Sequence, residues 1–236
     1  MNCNIMTFNT QHCMDYTTKK IDFDRMAEAI RRFDPIFLGL NEMRMEGEHP
    51  EYTDQVPALA ERAGYPYWYF AKALDVGGAN PYGNGLLSRY PILFAETVPV
   101  PDPEGKVGGR HYETRCLLHA KLDVPGGLDV FVIHFGLNPD EQENAVKTVV
   151  ENLTDSRCIL MGDFNVTPDN PVLQPIRERL YDTAELFEKP LLSYPSDKPE
   201  IKIDYIFASR DLVVHSADIP QIVVSDHCPH IASIEL

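Results

Sequence analysis

Residues 158–165 read Cys158-Ile159-Leu160-Met161-Gly162-Asp163-Phe164-Asn165, and this stretch decides how the chain can fold. A short apolar run bounded by turn-forming residues is typical of a buried strand. We therefore predict a strand that begins at Cys158 and ends at Gly162-Asp163. The acid and the amide that follow it are placed where a strand meets a loop, which is a common position for functional side chains.

Comparable segments lie on both sides of this stretch and alternate with segments of helical spacing. Helices are predicted over residues 23–33 (ended by Asp34-Pro35), 56–63 (closed by Gly64) and 140–153. Further strands are predicted over residues 4–8, 36–40, 67–70, 85–88, 92–98, 115–122, 128–134, 203–208, 212–216 and 231–236. Many strands with interspersed helices indicate an α/β or α+β fold with large mixed sheets. Because no repeat, low-complexity tract or Ser/Gly linker occurs, a single domain over residues 1–236 is expected.

The composition excludes several classes of protein. The chain has 236 residues, 44% of them hydrophobic and 24% charged, which is ordinary for a globular protein and excludes a disordered one. It carries 21 Lys and Arg against 36 Asp and Glu, a formal net charge of −15. This balance argues against tight, sequence-independent binding of nucleic acid, although a divalent cation can reverse the local sign of an acidic cleft.

Cysteine usage and the amino-terminal residues predict a compartment. The five cysteines are scattered, and no Cys-x-x-Cys pair suggests a disulfide framework or a thiolate zinc site. The first residues lack the basic start and apolar stretch of a signal peptide. No run of 18 apolar residues is present, so no membrane-spanning helix is predicted. We expect a reducing, cytoplasmic environment.

Polar side chains of one chemical kind stand at or near the ends of several predicted strands. They are Asn9, Asn41-Glu42, His134, Asp163 with Asn165, Asp204 within Lys202-Ile203-Asp204-Tyr205-Ile206, and Asp226-His227. Isolated carboxylates are costly to bury, so several together indicate a divalent cation or a proton network. Hard oxygen donors suit Mg²⁺, Mn²⁺ or Ca²⁺. Phosphoester hydrolysis needs the same groups: a metal, a carboxylate that prepares water, and an imidazole.

Three of these motifs resemble signatures of the endonuclease/exonuclease/phosphatase superfamily. Gly162-Asp163-Phe164-Asn165 resembles its GDFN signature, residues 202–206 resemble its [RK]IDY[IV] element, and Ser225-Asp226-His227 resembles its terminal SDH. Asn9, Glu42 and His134 fall in the family order, so the resemblance extends over essentially the whole chain.

The resemblance implies a deoxyribonuclease I-like, four-layer sandwich of two packed mixed β-sheets flanked by helices, and Mg²⁺- or Mn²⁺-dependent cleavage of phosphoesters. The metal ligands implied are Asn9, Glu42 and Asp226. The catalytic candidates implied are His134, Asp163, Asn165, Asp204 and His227. Asp163 would orient or activate water, His227 would act on the phosphate, and Asp204 would orient His227.

Other positions gain a role only through the resemblance. Arg115, in Glu113-x-Arg115, would help to bind phosphate or to position the site, and Asn165 would hold water and phosphate. His134 matches a second imidazole of the deoxyribonuclease-like and phosphatase-like branches and argues against abasic-site repair. Pancreatic-type deoxyribonucleases support that imidazole with a glutamate near the position of Asn84, and we identify no such acid here.

Each candidate also has a structural interpretation. Asp163 to Asn165 could form a turn and Asn9 could cap one. Asp204 could belong to a buried salt bridge, Glu42 could be an exposed acid, and His134 could be a core histidine. His12, His49, His111 and His215 are expected in loops or in solvent, with His111 the one that could reach a substrate. His227-Cys228-Pro229-His230 invites a zinc interpretation, but no partner pair of Cys or His accompanies it.

The expected function is that of a metal-dependent phosphodiesterase, nuclease or phosphatase. Its substrate would be a nucleic acid, a nucleotide or a phospholipid head group, and the protein is expected to be a monomer. The alternatives are a non-catalytic binding module on the same fold and a zinc hydrolase. Loops over residues 46–53, 75–83 and 99–113 are expected to determine the choice of substrate.

Overall fold

A computed structural model of the chain describes residues 2–236 and contains two large mixed sheets with helices on their outer faces. The helices are α1 (Phe23–Phe33), α2 (Gln55–Ala63), α3 (Pro139–Asn152) and α4 (Gln174–Arg179). The strands are β1 (Asn2–Asn9), β2 (Met14–Asp15), β3 (Lys20–Ile21), β4 (Phe37–Arg44), β5 (Tyr67–Val76), β6 (Asn80–Ser88), β7 (Ile92–Pro99), β8 (Cys116–Leu122), β9 (Leu128–His134), β10 (Cys158–Asp163), β11 (Leu180–Asp182), β12 (Asp204–Ser209), β13 (Val214–Asp218) and β14 (His230–Glu235).

Each large sheet has six strands and is built around one parallel pair. The first sheet has the order β13-β14-β1-β4-β6-β5, in which β1 and β4 are parallel. The second has the order β11-β12-β10-β9-β8-β7, in which β9 and β10 are parallel. The short strands β2 and β3 pair separately. Parallel neighbours bring their carboxyl ends to the same edge of a sheet, which assembles polar side chains from distant parts of the chain.

The two sheets pack face to face, and alternation along each central strand accounts for the layers. In β10, Ile159 and Met161 belong to the core between the sheets, whereas Leu160 faces the core beneath α3 and α4. In β1, Ile5 faces the core between the sheets, while Met6 packs with residues of α1 and α2. Burial of a large aliphatic side chain contributes about 1.5–3 kcal/mol. The predicted four-layer sandwich is confirmed, whereas the single domain over residues 1–236 stays a prediction.

The boundaries of α1 follow directly from its sequence. The Asp22 side chain accepts a hydrogen bond of 2.9 Å from the Arg25 amide and so caps the first turn. Arg31 and Arg32 lie in the last turn, where their positive charges interact favourably with the negative end of the helix dipole. Asp34 then adopts a left-handed conformation with φ of 50° and ends the helix. The prediction that this helix ends at Asp34-Pro35 is confirmed.

The structure corrects the sequence-based assignment in two places. Residues 75–83, predicted as a loop, are mostly strand, because β5 extends to Val76 and β6 begins at Asn80. The elements β2, β3, β11 and α4 were not predicted, since their two to six residues are too short to show a period. In residues 2–236, no helix is both long enough and apolar enough to cross a bilayer.

Candidate active site

Strand register brings the predicted site residues together at one edge of each sheet. In the second sheet, Asp163 at the end of β10 pairs with His134 of β9 on one side and with Asp204 of β12 on the other. In the first sheet, Asn9 at the end of β1 pairs with Asn41 of β4. Backbone pairing alone thus makes neighbours of His134, Asp163 and Asp204, which are far apart in the sequence.

Gly162 permits the close approach of β10 and β9 at this edge. Its φ is 146°, a backbone conformation that residues with a side chain rarely adopt. A Cβ atom at this position would lie 1.8 Å from the carbonyl oxygen of Ile133. The glycine of the Gly162-Asp163-Phe164-Asn165 motif therefore has a packing reason, independent of any chemistry.

A buried amide joins the two sheets directly beneath the site. The Asn41 side chain accepts a hydrogen bond of 2.9 Å from the Asp163 amide and donates one of 3.0 Å to the carbonyl of Ile133. It also donates to Asn84 Oδ1 at 2.9 Å, and Asn84 in turn donates to the carbonyl of Cys116 at 3.0 Å. Sequence reasoning recognised Asn41 only as a strand end, because its partners belong to the other sheet.

Asn9 and Glu42 form the part of the site contributed by the first sheet. Asn9 Nδ2 lies 3.1 Å from Glu42 Oε1 and 3.0 Å from Asp163 Oδ2, so one amide links the acids of the two sheets. Glu42 lies where the pairing of β4 and β6 shifts register, and its φ is 63°. Burial raises the pKa of Glu42, a hydrogen bond from Asn9 opposes that rise, and the negative charge of Asp226 adds to it. The mutually repelling carboxylates of Glu42 and Asp226 fit a hard divalent cation. The predicted ligand Asn9 turns its nitrogen towards the acids, while its oxygen accepts a hydrogen bond of 3.1 Å from the Gln11 amide.

A strained turn follows Asn9 and was not anticipated from the sequence. Gln11, His12 and Cys13 are three successive residues with positive φ, at 47°, 49° and 60°. Such conformations are costly for residues with side chains and often occur at functional sites. The turn places His12 Nδ1 3.8 Å from Glu42 Oε2. This loop histidine is half-buried and lies beside the site.

Asp163 lies at the centre of the site. Its Oδ2 lies 3.5 Å from His134 Nε2 and 3.6 Å from His227 Nε2, and its Oδ1 accepts a hydrogen bond of 2.9 Å from the Asn165 amide. Burial raises the pKa of Asp163 to about 7, although the positive charge of His227 opposes this change. A carboxylate with a pKa near neutrality is suited to accept a proton at physiological pH.

His227 is held by Asp204. His227 Nδ1 lies 2.9 Å from Asp204 Oδ2, and Asp204 is fully buried. Burial alone would lower the pKa of His227, but the negative charges of Asp204 and Asp163 outweigh burial and raise it to about 10. The imidazole is therefore cationic at neutral pH. Two neighbours that the sequence did not reveal support this pair: Ser193 Oγ accepts a hydrogen bond of 3.3 Å from the Asp204 amide, and the Tyr194 ring packs 4.8 Å from the His227 ring.

His134 has a very different environment. Its Nδ1 lies 3.2 Å from Arg115 Nη1, and Arg115 forms a short ion pair with Glu113. Burial lowers the pKa of His134 well below its ordinary value, and the positive charges of Arg115 and His227 lower it further. The group that contacts Nδ1 of this imidazole is therefore a guanidinium and not a carboxylate.

These groups surround a cleft of about 600 Å³. Of the predicted site residues, the cleft is lined by Glu42, Arg115, His134, Asp163, Asn165, Asp226 and His227. Asn9 and Asp204 are fully buried. Sequence reasoning missed Tyr82 and Tyr194 as lining residues, while His111 does reach the cleft together with Arg110. A larger groove of about 800 Å³ beside α3 contains no histidine and is not a candidate for this chemistry.

One group of three side chains in residues 2–236 could bind a single ion by proximity alone. Ligand atoms of Asp163, Asp204 and His227 lie within 4.8 Å of one another. Because the hydrogen bond between His227 and Asp204 already uses an atom of each, we interpret this group as a proton network. His230 lies 3.1 Å from Thr183 Oγ1 and is absent from the group, so this part of the chain offers no support for a zinc site at residues 227–230.

The chain is similar to known proteins in both sequence and fold. A family model described as the endonuclease/exonuclease/phosphatase family matches residues 6–227. Comparison with curated proteins gives no significant sequence match. An endonuclease/exonuclease/phosphatase from Beutenbergia cavernae DSM 12333 has 24% identity and a TM-score of 0.83, covering 100% of this chain and 72% of its own.

Two further solved structures share the fold at lower identity. A mannosyl-6-phosphatase from Bacteroides thetaiotaomicron VPI-5482 has 15% identity and a TM-score of 0.78, covering 99% of this chain and 100% of its own. The human Nocturnin catalytic domain with bound sulfate has 16% identity and a TM-score of 0.70, covering 99% of this chain and 94% of its own. The family match spans the strand-end residues that meet at the cleft, so this chain belongs to the endonuclease/exonuclease/phosphatase family.

Proposed function

We propose that this protein is a Mg²⁺- or Mn²⁺-dependent phosphoester hydrolase that uses water as the nucleophile. Family membership supports the general class of phosphoester hydrolase. The observation that carries the more specific proposal is the position of Asp163, whose Oδ2 is within 3.6 Å of two imidazoles and 3.0 Å from Asn9.

The proposed metal would be held by Glu42 and Asp226 with Asn9 beside them. When bound, it would supply positive charge that attracts the phosphate and offsets the charge developing on it. The donors of Glu42 and Asp226 are carboxylate oxygens, which favour Mg²⁺ or Mn²⁺ over a soft metal.

The side chains of the chain would carry out the proton transfers. Asp163 takes a proton from the attacking water as the new O–P bond forms. His227, kept cationic by Asp204, donates a hydrogen bond from Nε2 to the phosphate and stabilises the pentacovalent state as the bond to the leaving oxygen breaks. The leaving oxygen takes up a proton from solvent, and Asp163 releases its proton to solvent before the next turnover. Asn165, whose side chain donates to the Phe135 carbonyl at 3.0 Å, is held at the cleft wall, where it helps to position water and phosphate.

The substrate that we favour is a small or single-stranded phosphoester. The cleft volume of about 600 Å³ lies within the range for small-molecule sites. The net charge of −15 disfavours long duplex DNA, which needs extended contacts from basic side chains. Of the three predicted specificity loops, residues 99–113 contribute Arg110 and His111 to the lining, residues 75–83 contribute Tyr82, and residues 46–53 contribute none among the described residues.

A substrate and metal panel tests the proposal. Purified protein would be assayed on DNA, RNA, nucleotides, inositol phosphates and bis-p-nitrophenyl phosphate, each with Mg²⁺, Mn²⁺, Ca²⁺ or Zn²⁺ and after chelation. We expect Asp163→Asn to lower turnover about 10²–10⁴-fold, and Glu42→Gln to raise the concentration of metal needed for half-maximal rate. Asp155→Asn and Glu61→Gln, at exposed positions, are the matched controls.

Other results would favour the alternatives. Metal binding without turnover of any substrate would favour a non-catalytic binding module on the same fold. Activity that returns after chelation with Zn²⁺ but not with Mg²⁺ or Mn²⁺ would favour a zinc hydrolase. Wild-type rates in the Asp163→Asn variant would contradict the role that we propose for this residue.

A further inference from the structure

Arg115 and His134 form a hydrogen bond that can run in only one direction. Arg115 Nη1 lies 3.2 Å from His134 Nδ1, within hydrogen-bonding distance. A guanidinium carries five N–H donors, has no acceptor and stays protonated in proteins. The hydrogen bond therefore runs from Arg115 to His134, and Nδ1 must offer its lone pair.

The second ring nitrogen is fixed as a consequence. A neutral imidazole carries one N–H group, so an accepting Nδ1 places the proton on Nε2. An imidazolium would carry a proton on both nitrogens and would direct Nδ1–H against the N–H of Arg115. His134 Nε2 faces Asp163 Oδ2 at 3.5 Å, where a proton is favoured by the negative charge.

Arg115 is itself held in place by an acid. It forms an ion pair with Glu113, it lines the cleft together with Tyr82, and it is 91% buried. Burial of a guanidinium is costly unless it is paired, and Glu113 supplies the opposite charge. Burial also raises the pKa of Tyr82 well above its ordinary value, so its hydroxyl stays neutral.

The neighbouring amide of Asn84 has partners other than His134. Asn84 uses its oxygen to accept from Asn41 and its nitrogen to donate to the carbonyl of Cys116. Among the described residues, Arg115 is thus the group that contacts Nδ1 of His134.

We propose that Arg115, oriented by Glu113, is a positioning residue that locks His134 as the neutral Nε2–H tautomer. His134 then presents a fixed hydrogen-bond donor to the cleft and does not act as a cationic acid. This assignment differs from direct phosphate binding by Arg115. The role in turnover rests on the proposed function, whereas the tautomer does not.

The decisive measurement is the tautomer in the wild-type protein. Long-range ¹H–¹⁵N correlation spectra of uniformly ¹⁵N-labelled protein at pH 7 with chelator report which imidazole nitrogens are protonated. The spectrum of His134→Gln assigns the His134 signals. We expect Nδ1 of His134 in the unprotonated range and Nε2 in the protonated range. An imidazolium, or a proton on Nδ1, in the wild-type protein would overturn the proposal.

Variants of Arg115 separate positioning from structural support. Arg115→Lys, which also donates and does not accept, should keep the wild-type pattern, whereas Arg115→Met should shift it towards an averaged or doubly protonated ring. An unchanged pattern in a folded Arg115→Met protein would also overturn the proposal. If that variant does not fold, the wild-type spectrum remains decisive.

Kinetics with a hydrolysed substrate then distinguish the two roles of Arg115. If Arg115 positions His134, Arg115→Met should lower kcat at least tenfold and change KM less than threefold. If Arg115 binds phosphate directly, the larger change should be in KM, and this result would overturn the proposed role of Arg115 in turnover. A protein with the expected tautomer that hydrolyses none of the substrates would contradict the proposed function and leave the assignment of the tautomer intact.

Discussion

The two histidines at the cleft face the same oxygen of Asp163 from different elements and have opposite charges behind them. His227 Nδ1 meets the carboxylate of Asp204 at 2.9 Å, whereas His134 Nδ1 meets the guanidinium of Arg115 at 3.2 Å. The first ring is driven to the cation and the second to the neutral form. An imidazole near a phosphate site therefore cannot be assigned a role from its residue type, because the group behind it decides its proton count.

Replacing each ring with glutamine is the most direct way to break this asymmetry. We expect His227→Gln to lower kcat about 10³–10⁴-fold, because a cation that stabilises the phosphate is lost. His134→Gln should lower it by at most about 10–150-fold, the value of one hydrogen bond to a charged group, because glutamine keeps an N–H donor that restores part of this bond. The measurement is kcat on a substrate identified in the panel, with circular dichroism as the control for folding. Equal losses in the two variants would show that the rings are equivalent.

Changing the support of His227 should have a smaller effect. Asp204→Asn removes the negative charge behind the ring but leaves an oxygen acceptor, and we expect about a 10²-fold loss of kcat. The matched control is Asp129→Asn, since Asp129 bonds His119 Nε2 at 2.8 Å at the opposite end of β9. A comparable loss of kcat in the control would mean that the effect comes from weakened packing.

The pH dependence of stability should have opposite signs for the two rings. His227 has a pKa raised to about 10, so its stabilising contribution is complete below about pH 6.5 and is lost as the pH rises through 10. His134 has a lowered pKa, so its contribution is complete above about pH 6.5 and is lost as the pH falls below that value.

Denaturant unfolding with chelator, from pH 4.5 to 9.5, measures these contributions. The difference in the free energy of unfolding between wild type and His227→Gln should narrow above pH 6.5, by at most about 1.4 kcal/mol per pH unit. The difference between wild type and His134→Gln should narrow below pH 6.5. Slopes of the same sign for both variants would contradict the assigned charges.

Much of the fold and of the candidate site could be predicted from the sequence because local patterns encode it. The apolar run before Asp163 has the composition of a strand, and the apolar spacing of residues 23–33 with Asp34-Pro35 determines a helix and its end. The family resemblance, now confirmed by the family match, identified the strand-end residues that the structure brings together.

The contacts that set the chemistry of those residues could not be predicted, because they depend on how the sheets pack. Arg115 lies at the end of an irregular segment, and nothing in the spacing of residues 115 and 134 indicates that Nη1 and Nδ1 meet. The link from Asn41 to Asp163 and Ile133 crosses between sheets. The left-handed turn over Gln11 to Cys13 contains no glycine that would have marked it.

The amide of Asn41 beneath the site has a consequence for biosynthesis. Asn9 and Glu42 come from one sheet, whereas His134, Asp163 and Asp204 come from the other. Asn41 joins the two sheets by accepting a hydrogen bond from the Asp163 amide. Residues 9 through 227 must all have left the ribosome before these side chains can meet, so the proposed hydrolytic site can assemble only late in synthesis. Recovery of turnover after dilution from denaturant should accordingly follow the docking of the two sheets, and enzymatic activity can serve as a reporter of that late event.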